Sequence, residues 1–217
     1  MSLLVPCRLF VIIAREARVA VVLRRGPSAW CHMIRWDMAA DRFEHGAWIK
    51  ARIYEEKCDL SPDGELFLYF VHQGRRSQTS YSHAWTAVSR PPWLHALALW
   101  PQATTYGGGG RFVGKREVLI RNRSLAAHPD HPGAGITASS GNPPRHVSTE
   151  VAEGADWSGR DHEEHVVFAR GGKLFRRLAE HELELADFNG LRPDPVEAPD
   201  WARKPLLGSV KSARRRR

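Results

Sequence analysis

All-β is the fold class this sequence predicts, and three observations carry it. Short runs rich in Val, Ile, Leu and Phe recur along the first 120 residues, each closed by a cluster of Gly, Pro, Asp or other polar residues. The turn sequence Ser61-Pro62-Asp63-Gly64 stands directly before one such run. Long periodic helical stretches do not occur, and the one candidate, Leu174 to Leu185, is bracketed by Gly171-Gly172 and Asp187-Phe188-Asn189-Gly190, which suit strands equally well.

Taken in order, Cys7 to Ala14 and Arg18 to Leu23 read as a hairpin closed by Gly26-Pro27-Ser28. Arg8 interrupts the first run and no basic segment precedes it, so it is expected to be a strand rather than a signal peptide. A strand over His32 to Trp36 follows, then a polar turn from Asp37 to Gly46, then a strand over Ala47 to Tyr54. In Asp59-Leu60-Ser61-Pro62-Asp63-Gly64, Pro62 presets the turn, Asp63 can bond its own backbone and Gly64 accepts a left-handed conformation. The run Leu66 to Val71 is almost wholly apolar, which predicts a central strand covered on both faces. Pro91-Pro92 divides Tyr81 to Trp100 into two strands. Glu117 to Ile120 reads as a further strand, and Leu125 to Ser148, rich in Pro, Gly, Ser and His, reads as a long loop. One domain from Leu3 to Trp201 is expected, followed by a disordered basic tail over 202–217.

Asp-Leu-Ser-Pro-Asp-Gly followed by an apolar strand resembles the blade-opening hairpin of WD-like and tricorn-type β-propeller repeats. A looser copy lies at Ala155-Asp156-Trp157-Ser158, followed by His165 to Ala169, Gly171-Gly172 and Lys173 to Arg177. The two aspartates are 97 residues apart, about two repeats of roughly 40–45 residues. The second copy lacks the Pro-Asp-Gly turn, and Trp36-Asp37 occurs once. What the resemblance implies is a small β-propeller, with an open antiparallel meander as the alternative, acting as a protein-binding module.

Hydrophobic residues make up 42% of the 217 and charged residues 26%, so most of the chain should enclose a core, with eight tryptophans as its largest side chains. No segment approaches the 18 or more apolar residues of a membrane span. The net charge of +8 is concentrated at one end. Seven of the 32 basic residues follow Asp200 with no acid among them, leaving 25 against 24 in the rest. A tail comprising Lys211, Arg214, Arg215, Arg216 and Arg217 would bind nucleic acid or other polyanions weakly and without sequence preference. Cys7, Cys31 and Cys58 are an odd number without CxxC spacing, which predicts free thiols in a reducing compartment, the cytoplasm.

Candidate sites are few. Ser89-Arg90-Pro91-Pro92-Trp93, with Trp85 nearby, offers aromatic faces and a guanidinium fork, so Trp85, Arg90 and Trp93 are the expected binding residues. In Asp161-His162-Glu163-Glu164-His165, His162 and His165 are the candidate metal ligands, although their spacing is i, i+3 and not the i, i+4 of a zincin helix. His128-Pro129-Asp130-His131 offers a second such group. A metal-dependent hydrolase built on Asp59, Asp63 or the histidines is the enzymatic alternative to a binding module. Gly107 to Gly110 lacks the Gly-Lys-Ser/Thr of a phosphate loop and is expected to be a bulge or connection.

Overall fold

The computed structural model describes residues 5–26, 28–74, 82–102, 104–146, 152–179 and 181–207. Among the described residues, sixteen strands form four separate sheets, none closed into a barrel. The first is a simple meander of β1 (Arg8–Ile13), β2 (Val19–Arg25), β3 (Trp30–Asp37) and β4 (Arg42–Lys50). In the second, β5 (Arg52–Ile53), β6 (Asp59–Leu60), β7 (Phe67–His72), β8 (Ala84–Ser89) and β9 (Ala98–Gln102) run antiparallel, with β5 and β6 both on β7 and a 3-10 turn at Glu55–Lys57 between them. β10 (Gly110–Phe112), β11 (Glu117–Ile120) and β12 (Thr137–Ser140) make the third, where β12 is parallel to β11. The fourth is again a meander, of β13 (Trp157–Arg160), β14 (Val166–Arg170), β15 (Lys173–Leu178) and β16 (His181–Asp187). A one-turn helix, α1 (Asp200–Arg203), follows the extended segment after β16.

Packing orders the sheets as fourth, first, second, third. Period-2 alternation sends Ala20 and Val22 of β2 into a core with Trp157, Val167 and Leu174, while Val21 and Leu23 enter a second core with Leu60, Phe67 and Tyr69. β7 is divided the same way: Phe67, Tyr69 and Val71 face the first sheet, and Leu68 faces Phe112, Val118 and Ile120 of the third. Two-sided burial is the physical reason that β2 and β7 read as nearly continuous apolar runs. The far side of the fourth sheet is finished with charge. Phe168 and Phe175 stack at 5.2 Å, Arg170 lies 5.1 Å and 5.2 Å over their rings, and Arg170–Glu182 and Lys173–Glu184 pair across strands.

Several expectations need correction. β4 begins at Arg42, inside the expected polar turn, because Phe43 stacks on Trp36 while Arg42 and Glu44 on either side of it are exposed on an edge strand. The candidate helix Leu174 to Leu185 is the hairpin of β15 and β16. The long loop contains β12, and its middle is tied to β9 by His128 N to Leu99 O, Leu99 N to His131 O and Gly133 N to Leu97 O. α1 ends at Arg203 with Ala202 buried, two residues past the expected end of the domain. Trp36, Trp85, Trp100 and Trp157 are core residues, whereas Trp201 is 50% exposed. No helix among the described residues is long and apolar enough to cross a membrane.

Candidate functional site

Four separate segments converge on a charged groove. The turn between β6 and β7 is locked by short-range bonds: Ser61 Oγ donates to Asp63 Oδ1 (2.7 Å), the Leu66 amide donates to Ser61 Oγ (2.9 Å), and Gly64 takes φ +75°. Its outward side presents Asp63 and Glu65. The β10–β11 hairpin, closed by Val113 N to Glu117 O at 2.9 Å, presents Lys115 and Arg116, and Lys115 Nζ stands 4.0 Å from Asp63 Oδ2. After β8, Arg90 extends its guanidinium toward the chain terminus. Nη1 donates to the carbonyls of Trp201 (3.3 Å), Ala202 (3.5 Å) and Lys204. These are the carbonyls that the end of a helix leaves without intrahelical partners, so Arg90 caps α1 from another sheet.

Two cavities share Glu65 and Arg90 as a common wall. One, of about 190 Å³, is bounded by Arg35, Glu44, Pro91 and Trp201; the other, of about 280 Å³, by Asp63, Lys115, Arg116 and Leu206. Arg35 and Glu44 are cross-strand neighbours in β3 and β4. Burial lowers the Arg90 pKa and the charge of Arg116 lowers it further, against an opposing effect of Glu65.

A second polar cluster holds the inner strands together. Asp59 on β6 is 2% exposed; its Oδ1 lies 3.1 Å from both Arg111 Nη1 and His146 Nε2, while Oδ2 accepts from the Phe112 amide at 2.7 Å. Arg15, after β1, lies 3.6 Å from Oδ2 and donates to Phe112 O at 2.7 Å. Burial alone would raise the Asp59 carboxyl, but the hydrogen bond and charge of His146, the Phe112 amide and Arg111 outweigh it and hold the group below the usual carboxylate range. Both oxygens are engaged, so the cluster joins the first three sheets and offers no free base.

The expected metal ligands have structural neighbours instead. Asp161 Oδ1 accepts the amides of Glu163 and His165, each at 2.9 Å, and Oδ2 accepts Arg176 Nε at 2.9 Å. Arg176 also grips Asp41 (2.7 and 3.0 Å) beneath Trp36, fastening the fourth sheet to the first. His162 is exposed at the tip, and His165 Nδ1 lies 3.5 Å from Asp161 Oδ2. The His131 ring lies 6.0 Å from that of His95 and 6.2 Å from that of His128. Among the described residues, no group of three or more His, Cys, Asp or Glu side chains is arranged to hold a metal ion.

Of the expected binding residues, only Arg90 reaches the groove. Trp85 is 8% exposed within the core between the first and second sheets, and Trp93 is half-buried with its indole Nε1 unpaired. Gly107 to Gly110 turns its amides inward: Gly108 donates to Arg121 O (2.8 Å) and Gly109 to Thr86 Oγ1 (2.9 Å), which leaves no cradle for phosphate. A Cβ on Gly108, at φ +81°, would stand 2.1 Å from the Phe70 ring, so this backbone requires glycine. Lys57 fills the space beneath, donating to Thr105 O (2.8 Å) and Gly107 O (2.9 Å) and lying 4.8 Å over Phe70. Its ammonium pKa is lowered by burial and by the nearby Arg145 and Arg121. Lys211 and Arg214 to Arg217 lie outside the described residues.

Sequence reasoning missed Glu65, Lys115 and Arg116. The available signal was the recurrence of charge at turn tips, in Pro-Asp-Gly-Glu and Val-Gly-Lys-Arg-Glu. Fold and groove define an all-β protein of four packed sheets with a charged recess lined by residues of the first three sheets, their turns and the Trp201–Leu206 segment. Compared with family models, curated proteins and solved structures, the chain has no match.

Proposed function

We propose that this protein is a non-catalytic interaction module of the cytoplasm that receives an extended segment of a partner protein in the groove around Arg90. The observation that carries the reading is the seating of the chain's own terminal segment. One guanidinium takes three main-chain carbonyls, those of Trp201, Ala202 and Lys204, which is recognition of backbone irrespective of side chain. The two cavities suit side chains on either side of such a segment, since enclosed cofactor sites usually occupy about 300–1,000 Å³. A blade-like organisation belongs to the same reading. Two of the four sheets are sequential meanders, and adjacent sheets pack face to face, as the propeller resemblance implies. Support for a reducing compartment comes from Cys7, Cys31 and Cys58, all free and buried, with burial pushing the Cys31 thiol up to about 12.

An array of extended peptides of varied sequence, probed with the full chain, tests the proposal. Binding by a subset, lost in Arg90→Gln while the protein remains folded by circular dichroism, is the expected result. Equal binding by wild type and Arg90→Gln would place any partner elsewhere.

A further inference from the structure

The larger cavity has an uneven charge balance that the fold does not resolve internally. Arg90, Lys115 and Arg116 face two acids, Asp63 and Glu65. Asp63 is committed twice: Oδ1 accepts from Ser61 Oγ and from the Glu65 amide (3.3 Å), and Oδ2 lies 4.0 Å from Lys115. The contacts of Arg90 are to neutral carbonyls, which orient a guanidinium without cancelling its charge. Arg116 is exposed and has no ion-pair partner among the described residues. Two guanidiniums therefore share one wall with Glu65 as their remaining counter-charge, and a further carboxylate entering from solvent would find two planar forks and an ammonium. Leu206 supplies the apolar side of the same cavity.

We propose that the groove selects an acidic peptide, placing a Glu or Asp side chain of the partner between Arg90, Lys115 and Arg116 while its backbone runs alongside the Trp201–Lys204 segment. The proposal rests on the interaction-module reading and adds the chemistry of the partner. Arg116 is the specificity determinant, since it alone of the three cations is uncommitted to an acid or to main-chain carbonyls. Lys115 adds a more flexible, more strongly hydrated charge and sharpens the preference less.

The test uses the full chain and two fluorescein-labelled peptides, one of alternating Glu and Val and one with Lys replacing each Glu, followed by fluorescence anisotropy. The Glu peptide should bind wild type, and the Lys peptide should not. Arg116→Glu should weaken the Glu peptide by about tenfold or more and admit the Lys peptide, whereas Arg116→Lys should retain most Glu-peptide affinity. Arg116 is exposed, so these variants should melt with wild type, and thermal denaturation verifies it. Undiminished Glu-peptide binding by Arg116→Glu would assign that affinity to the basic tail and overturn the proposal. If the Lys peptide binds wild type as well as the Glu peptide does, with both lost in Arg90→Gln, the groove takes chains without regard to charge; the proposal fails and the module reading stands. If neither these nor the array peptides bind, both fail. Displacement of the Glu peptide by a DNA oligonucleotide with the same Arg116 dependence would make the groove a phosphate site and also overturn it.

Discussion

The imidazole of His32 lies flat on the indole of Trp48, with ring centroids 4.1 Å apart and planes 11° apart. His45 lies edge to edge with His32, ring planes 7° apart and centroids 5.3 Å apart, its Nδ1 3.1 Å from His32 Nε2, and Arg24 covers Trp48 at 5.5 Å. Arg24 in turn donates from Nε to Phe188 O at 3.0 Å, holding the segment after β16 against the first sheet. A protonated His32 would be a buried cation between a second imidazole and a guanidinium. Burial foremost, with smaller contributions from the charges of His45 and Arg24, lowers its pKa from 6.5 to about 4, although the contact with Ala47 O opposes the change.

Stability should therefore fall as pH drops from 6.5 toward 4. Above 6.5 both folded and unfolded chains carry neutral His32; below it the unfolded chain takes up a proton that the folded chain does not accept until about pH 4. The full loss is on the order of 3 kcal/mol, from about 1.4 kcal/mol per pKa unit. Urea titrations at several pH values should show this decline in wild type and a flatter profile in His32→Phe, which keeps a ring against Trp48. A variant profile parallel to wild type would assign the titration to other groups.

Asp59→Asn tests the junction of the first three sheets. The substitution leaves Arg111 and Arg15 facing a neutral amide at a site where the carboxylate was 2% exposed, and breaking such a buried pair costs about 3 kcal/mol. Because the folded state holds this carboxyl below its ordinary value, its contribution is present above pH 3.8 and disappears as pH falls through the folded-state value. Denaturant midpoints at neutral pH should drop, and the acid limb should become shallower. An unchanged midpoint would show that the cluster does not bind the sheets together.

Gly64→Val should destabilise by about 1 kcal/mol or more, because a β-branched residue resists φ of +75°. The added Cβ would also stand 2.9 Å from Val19 Cβ on β2, a side chain fixed within a sheet. Thermal denaturation measures the effect, and an unaltered melting temperature would contradict the turn geometry.

That turn was readable because its determinants are local: Pro62, Asp63 and Gly64 act on their own backbone within four residues. β2 and β7 were readable because two-sided burial leaves a compositional trace. β15 and β16 were ambiguous because Leu, Glu and Arg favour helix locally, and their strand state depends on pairing of β15 with Val167 to Arg170 of β14 and of β16 with β15. β4 was hidden by Glu44, exposed because the strand is an edge, and by His45, a polar residue whose ring packs on His32 and Phe188. The groove was least legible. Arg90 was singled out for the prolines beside it, yet Glu65, Arg116 and Trp201 join it only through the packing of separate segments.

Two truncations should separate the terminal segment from the basic tail. A chain ending at Leu207 keeps α1, buried Ala202 and the three carbonyls held by Arg90, and removes Lys211 and Arg214 to Arg217. A chain ending at Pro199 additionally strips Arg90 of those acceptors. Hydrogen bonds to a charged group contribute about 1.5–3 kcal/mol, and a half-buried guanidinium without partners carries a desolvation cost. The first truncation should keep the melting temperature and lose most heparin affinity, since it removes cations from a body that is otherwise nearly neutral. The second should lower the melting temperature by the equivalent of about 1–3 kcal/mol with little further change in heparin elution. Equal melting temperatures would show that Arg90 does not depend on the segment it caps, and undiminished heparin affinity in the Leu207 chain would place the polyanion surface on the folded body.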